Sequence, residues 1–201
     1  MKNGRNTTLN MVRVAMLTAV SLILMQFDIR IIGFYKLDLS NVPVLLGAFA
    51  MGPLCGEGVL LLKNLLDGLL LSNSLGIGQL ADFLIVSALV LPAALIYQKN
   101  RTLKGAIIGM VTGSVLMGVV GAVANLYLLI PAYCGEFPFI PGFTTREAVV
   151  SMFSAVIPAA NTVNKVILMV TLPFNLLKGA AVSLVTSVLY RHVSPLLKGR
   201  K

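Results

Sequence analysis

Apolar and polar positions along this chain fall into long blocks and do not alternate residue by residue. A hydrocarbon layer about 30 Å thick needs roughly 20 apolar residues per helix, with shorter pieces allowed inside a bundle. On that measure the first span runs from Leu9 to about Ile32. A polar knot follows, Tyr35-Lys36-Leu37-Asp38-Leu39-Ser40-Asn41, and Pro43 starts a short apolar run to Met51 that Gly52-Pro53 breaks. A third helix is expected from about Glu57 to Leu71, then a Ser- and Gly-rich loop over 72–78. The fourth helix is expected from Gln79 to Tyr97 and the fifth from Lys104 to Ile130, closed by Pro131. The last covers about Ala160 to Tyr190. The expected fold is an all-α membrane protein, a six-transmembrane-helix bundle with a short second helix, forming one integral domain over residues 1–201.

Before the sixth helix, Thr144 and Glu147 have capping-box spacing, and Ala148, Val149, Met152, Phe153 and Val156 share a helical face. This predicts a short amphipathic helix within 143–157, either lying at the outer membrane surface or acting as a lid. No internal repeat of the transporter type is visible, so an inverted-repeat carrier gains no support.

Composition sharpens this picture. Of the 201 residues 57% are hydrophobic and only 11% charged, whereas a soluble domain carries about 25% charged residues to furnish its surface. The formal charge is +9, from sixteen basic and seven acidic residues. Ten of the basic residues (Lys2, Arg5, Arg13, Lys99, Arg101, Lys104, Arg191, Lys198, Arg200 and Lys201) fall in the two tails and the 98–104 loop, with only Glu57 near that face. The positive-inside rule therefore puts both termini in the cytoplasm of a multi-pass protein of the cell membrane. Such a bias argues against a nucleic-acid stripe. The basic, apolar N-terminus imitates a signal peptide, but the Ala48-Phe49-Ala50 triplet lies too far past the apolar run, so cleavage is not expected. Cys55 and Cys134 are expected on opposite faces, unbridged, and His192 is the single histidine, so no Cys/His metal centre is expected.

Polar groups inside apolar spans are costly and ask for a partner or a task. Lys63 and Asp67 are four apart on one helical face, which predicts a local ion pair. Asn161, Asn164 and Lys165 lie close enough to the surface to be solvated. Asn175 and Lys178 share a face in the middle of the last helix, and Lys178 is about 18 Å from its inner end at 1.5 Å per residue, too far to snorkel easily. This predicts a ligand-facing pair. Asn125 suits either a ligand contact or glue between helices. Asparagine offers donors and an acceptor and lysine donates to carbonyls, which suits a planar heterocycle with polar edges. No phosphate loop, paired metal ligands or nucleophile elbow is present, so no enzymatic activity is expected of this chain.

Several stretches together carry a resemblance: Lys36-Leu37-Asp38-Leu39-Ser40-Asn41-Val42-Pro43, Lys63-Asn64-Leu65-Leu66, Gly78-Gln79-Leu80-Ala81-Asp82-Phe83, Asn125-Leu126-Tyr127-Leu128-Leu129-Ile130-Pro131-Ala132-Tyr133 and Pro173-Phe174-Asn175-Leu176-Leu177-Lys178-Gly179. Over nearly its whole length the chain resembles the riboflavin-specific substrate-binding subunits of energy-coupling factor (ECF) transporters. The resemblance implies a six-helix bundle that binds riboflavin near its outer face, with no cofactor of its own. It implies two kinds of partner, a shared transmembrane coupling subunit (EcfT) and two ATPase subunits. It also implies that Asn175 and Lys178 hold the polar edge of the flavin, joined by Asn125, with Leu37 and its loop closing over the pocket and Asp82 facing the ligand. Ala15 and Ala19 on helix one would form the face that docks the coupling subunit. The chain departs from the family's common pattern at Gln79 and Asp82, where Glu and Asn are usual, and an ionised Asp only accepts hydrogen bonds. Asp82 then either accepts from the ligand or pairs with Lys178. Another vitamin such as thiamine on the same scaffold, a small intramembrane enzyme using Asp82 or Lys63, and a purely structural subunit are the competing readings.

Overall fold

The computed structural model describes residues 2–32, 35–70, 76–137, 140, 142 and 144–198, with side chains described from 8 to 31, at 35–70, 76–137, 140 and 142, and from 144 to 190. Part of the expected 72–78 loop and the side chains of Lys2, Arg5, Arg191, Lys198, Arg200 and Lys201 lie outside them. Helix α1 spans Lys2–Met25. It stops short of the expected Ile32, because Ile29–Ile32 is a strand (β1) paired antiparallel with Tyr35–Leu37 (β2). The register sets Ile29 opposite Leu37 and Arg30 opposite Lys36, with an irregularity between Arg30 and Ile32. β-Branched isoleucines suit a pleated ribbon, so an apolar run that reads as helix by hydropathy becomes the first arm of a hairpin. An ion pair between Lys36 and Asp28 ties the two arms together.

Helix α2 (Asn41–Met51) has only 11 residues, nine of them buried, and runs through the middle of the bundle. Gly52, at φ +110°, takes a conformation that residues with a side chain rarely adopt, and the chain turns there into α3 (Pro53–Leu70). Helix α4 spans Ile77–Lys99 and α5 Leu103–Ala124. Gly109 and Gly113 of α5 let its backbone lie against the Ala93 and Leu89 carbonyls of α4, too close for a side chain.

The fifth helix does not end at Pro131. It continues through a π-helical stretch, Asn125–Leu129, into α6 (Ile130–Tyr133), an unbroken 31-residue span. The sixth shows the same device: α8 (Val163–Val166), a π-helical stretch Ile167–Thr171, then α9 (Leu172–Lys198). In each case a proline, Pro131 or Pro173, stands two residues beyond the wide turn. Proline lacks the N–H that would close an ordinary i→i−4 bond, so local widening re-pairs the backbone.

Helix α7 (Arg146–Ser154) is the amphipathic helix expected before the last span. Its N-cap is Thr145 and not Thr144: the Thr145 hydroxyl accepts from the Ala148 N–H at 3.2 Å. Val149 and Phe153 are buried, whereas Ala148, Met152 and Val156 are exposed, because the buried face is narrower than the expected stripe. Glu136 pairs with Arg146 through two hydrogen bonds, which ties the segment just after α6 to the start of α7. Arg146 holds the Glu136 carboxyl below its ordinary range.

Among the described residues, four helical stretches are long and apolar enough to cross a membrane: Thr8–Met25, Ile77–Lys99, Leu103–Tyr133 and Val163–Tyr190. α3 is of comparable length but carries Glu57, Lys63 and Asp67 on an 18-residue helix. At the end opposite the hairpin, Phe49, Tyr97 and Tyr190 pack ring against ring and close the bundle. Cys55 and Cys134 are both free thiols.

Candidate functional site

Two lysines and two aspartates from four separate segments meet inside the helical bundle. Lys63 of α3 is fully buried; its ammonium donates to Ser40 Oγ at 2.9 Å and Asn41 Oδ1 at 2.5 Å, and lies 3.1 Å from Asp82 Oδ2 of α4. Lys178 of α9 lies 3.2 Å from Asp38 Oδ2 and 3.7 Å from Asp82 Oδ1. The other Asp38 oxygen accepts the Ser40 N–H at 2.8 Å, so Asp38 fixes the entry to α2 as well as the charge of Lys178. Two positive and two negative charges balance, which is what lets such groups persist away from water. Burial alone would raise the Asp38 carboxyl, but the Lys178 and Lys63 ammoniums more than offset it and hold Asp38 below the usual carboxylate range.

The expected Lys63–Asp67 pair does not form. Asp67 instead accepts from the Gln79 amide at 2.6 Å, and Lys63 turns to α2 and α4. A four-residue spacing allows a local pair worth only a few tenths of a kcal/mol, which buried cross-helix charges outbid.

A second polar group sits beside the quartet. Asn125 donates to the Gly121 carbonyl at 2.8 Å and Asn175 to the Thr171 carbonyl at 2.9 Å, each four residues back along its own helix and each at a π-helical stretch. Gly121 makes room for Asn175: a side chain on Gly121 would come within 2.7 Å of the Asn175 amide carbon. Tyr35 of the hairpin bridges the two wide turns. Its hydroxyl donates to Asn125 Oδ1 at 3.0 Å and lies 2.5 Å from Thr171 Oγ1. Burial pushes the Tyr35 phenol well above its usual value, so it stays a neutral donor. Its ring packs on Phe153 of α7 and Phe174 of α9, at centroid distances of 5.6 and 4.8 Å.

Of the expected site residues, Asp82, Asn175, Asn125 and Lys178 are thus gathered at one end of the bundle, under the hairpin. Leu37, half-buried, ends β2 next to Asp38. Tyr35, Thr171, Asp38 and Lys63 are participants that residue-by-residue reading did not assign. Their available signal was a buried charge needing an opposite one, and two Asn-bearing helices each with an internal proline, Pro131 or Pro173. Ala15 and Ala19 lie elsewhere. They are exposed on α1, on the side away from Leu17, Thr18 and Ser21, which face the bundle. Over its described stretch Thr8–Met25, 17% of α1 is buried, against 44% for α4, so most of that stretch faces away from the bundle.

Membrane-length apolar helices around a buried, charge-balanced polar cluster define the class: a helical membrane protein with its polar groups converging at one end. The family profile "ECF transporter, substrate-specific component" matches residues 9–190, and the chain belongs to that family. It is 32% identical to the riboflavin transporter RibU of Staphylococcus aureus (strain TCH60), over 98% of each chain. It is 26% identical to the riboflavin transporter FmnP of Bacillus subtilis (strain 168), over 95% of each. The solved structure described as "Structure and mechanism of the S component of a bacterial ECF transporter" superposes with a TM-score of 0.71 at 28% identity, covering 96% of this chain and 99% of that one. ThiT from Listeria monocytogenes shares the fold at a TM-score of 0.56 and 19% identity, over 96% and 98% of the two chains.

Proposed function

We propose that this chain binds riboflavin beneath the hairpin and serves as the specificity subunit of an ECF-type vitamin importer. The observation that carries the reading is the convergence of Lys178, Asn175, Asn125 and Asp82 from three helices, in a chain of the substrate-specific family whose relatives are named riboflavin transporters. An ammonium has three donors. Asp38 and Asp82 face two of those on Lys178, and the third suits a carbonyl on the polar edge of the isoalloxazine ring. Asn175 and Asn125 supply the matching amides, Asp82 accepts from a ring imide or a ribityl hydroxyl, and Leu37 covers the ligand from the hairpin. Aliphatic and aromatic side chains would cover the ring faces, as in most small-molecule sites.

The chain is one integral unit of six membrane helices, counting α2 and α3 with the four long spans, and its basic tails and 98–104 loop lie in the cytoplasm. Its partners are the coupling subunit EcfT, docked on the Ala15 and Ala19 face of α1, and two ATPases that supply the energy. Supporting this, α1 offers that face unburied and lined by small side chains flanked by Met11, Val12 and Met16.

Purified protein provides the test. It should bind riboflavin on titration, with the yellow isoalloxazine absorption travelling with the protein through size-exclusion chromatography. A preparation that is colourless and takes up no added riboflavin overturns the reading.

A further inference from the structure

Tyr35 stands in the polar slot formed by the two wide helical turns, and its hydroxyl satisfies the side chain that the proposed ligand site also needs. Asn125 Oδ1 accepts from Tyr35 at 3.0 Å while Asn125 Nδ2 is engaged by the Gly121 carbonyl. The Thr171 hydroxyl, fully buried, lies against the same phenol oxygen at 2.5 Å. The tyrosine belongs to a two-stranded ribbon whose other arm exposes Ile29, Arg30 and Ile31, so the ribbon is held mainly through its inward residues. Isolated two-stranded ribbons are marginal, and their position depends on what their inward side chains grip.

We propose that Tyr35 is an affinity-determining residue that occupies the site in the ligand-free protein, its hydroxyl competing with the ligand for Asn125 and Thr171. The inference rests on the riboflavin reading above and adds a sign to it. A residue that contacts ligand weakens binding when removed, whereas a competitor strengthens it. Binding that must first displace the hydroxyl is weakened by the fraction of molecules already open, so the apparent Kd equals the intrinsic Kd divided by that fraction. Removing the phenolic oxygen leaves Asn125 Oδ1 and Thr171 Oγ1 without that partner in the closed, empty state. In the bound state the ligand takes over those groups, and the loss is not felt.

Tyr35→Phe keeps the ring and its packing on Phe153 and Phe174 and deletes only the bridge. Riboflavin binding to wild type and variant is followed by stopped-flow quenching of flavin fluorescence and by equilibrium titration. The expected result is a faster association and a lower Kd, by about three- to tenfold as the open fraction rises. Hydrogen exchange supplies a second reading on the same proteins. Amides of residues 35–37 should exchange faster in the empty variant than in the empty wild type, and equally slowly in both once riboflavin is bound. Wild-type binding with unchanged or weaker affinity in Tyr35→Phe overturns the role of Tyr35 and leaves the riboflavin reading standing. A wild-type chain that binds no riboflavin overturns that reading and the competition with it.

Discussion

Lys63 Nζ lies 3.1 Å from Asp82 Oδ2 on the neighbouring helix, and not on Asp67 one turn along its own. That choice joins α3 to α4, and through Ser40 and Asn41 it also clamps the start of α2. Lys63 is completely buried, so removing its charge takes the ammonium from Asp82 Oδ2 and leaves Lys178 alone to balance Asp38 and Asp82. Lys63→Met should therefore cost about 3–5 kcal/mol of stability, the range for breaking a buried pair from one side. Thermal unfolding of the detergent-solubilised protein checks this, and an unchanged Tm would deny the clamp.

Lys178→Met keeps side-chain length and removes every donor. If a flavin carbonyl takes the third Lys178 proton, riboflavin affinity should fall about 5- to 150-fold, equivalent to about 1–3 kcal/mol. Calorimetric titration gives the value directly. Wild-type affinity in this variant would exclude Lys178 from the ligand edge.

Asp82 faces both lysines, and its side chain is 19% exposed, whereas that of Lys63 is 0% exposed. It therefore combines a counter-ion's position with access to a ligand. Asp82→Asn should lower the Tm of the empty protein because Lys63 and Lys178 then share Asp38 alone, while riboflavin affinity stays within about threefold, since an amide oxygen still accepts. Asp82→Leu should weaken both. Measuring Tm and affinity side by side separates the roles, and an unaltered Tm in Asp82→Asn would argue that the quartet is not a structural unit.

Acid should open the site from the Asp38 side. The folded protein holds Asp38 below its ordinary carboxylate value, so the stabilisation it provides is fully present above the unfolded value of about 4 and is lost as pH falls through the folded one. Wild-type Tm should decline more steeply than that of Asp38→Asn between about pH 4 and the onset of acid unfolding. Parallel Tm–pH curves for the two proteins would remove Asp38 from the account.

Ala15 and Ala19 sit one turn apart on the exposed side of α1, remote from the residues that gather under the hairpin. Ala15→Trp or Ala19→Trp should leave riboflavin affinity unchanged, abolish ATP-dependent uptake in cells supplying the other subunits, and prevent co-purification with the coupling subunit. Normal uptake by both variants would move the docking face elsewhere.

The span-length apolar blocks, the short second helix broken at Gly52-Pro53 and the mid-helix pair Asn175 and Lys178 were all legible along the chain, because hydropathy and helical spacing are local quantities. Other features were not. Residues Ile29–Ile32 are apolar enough to read as the end of a helix, and only pairing with Tyr35–Leu37 makes them a strand. Pro131 reads as a stop, yet the helix widens around it and carries on to Tyr133. Spacing put Asp67 beside Lys63, but a buried charge settles on the partner that desolvation leaves nearest, and that partner came from another helix. Tyr35 carried no signal of its own, since its bonds go to residues 90 and 136 positions further along the chain. The sequence by itself determined that this is a membrane protein of a recognisable family, and which polar residues a membrane would make expensive. Tertiary structure alone decided how those residues pair, because pairing depends on which helix faces lie opposite once the bundle has closed.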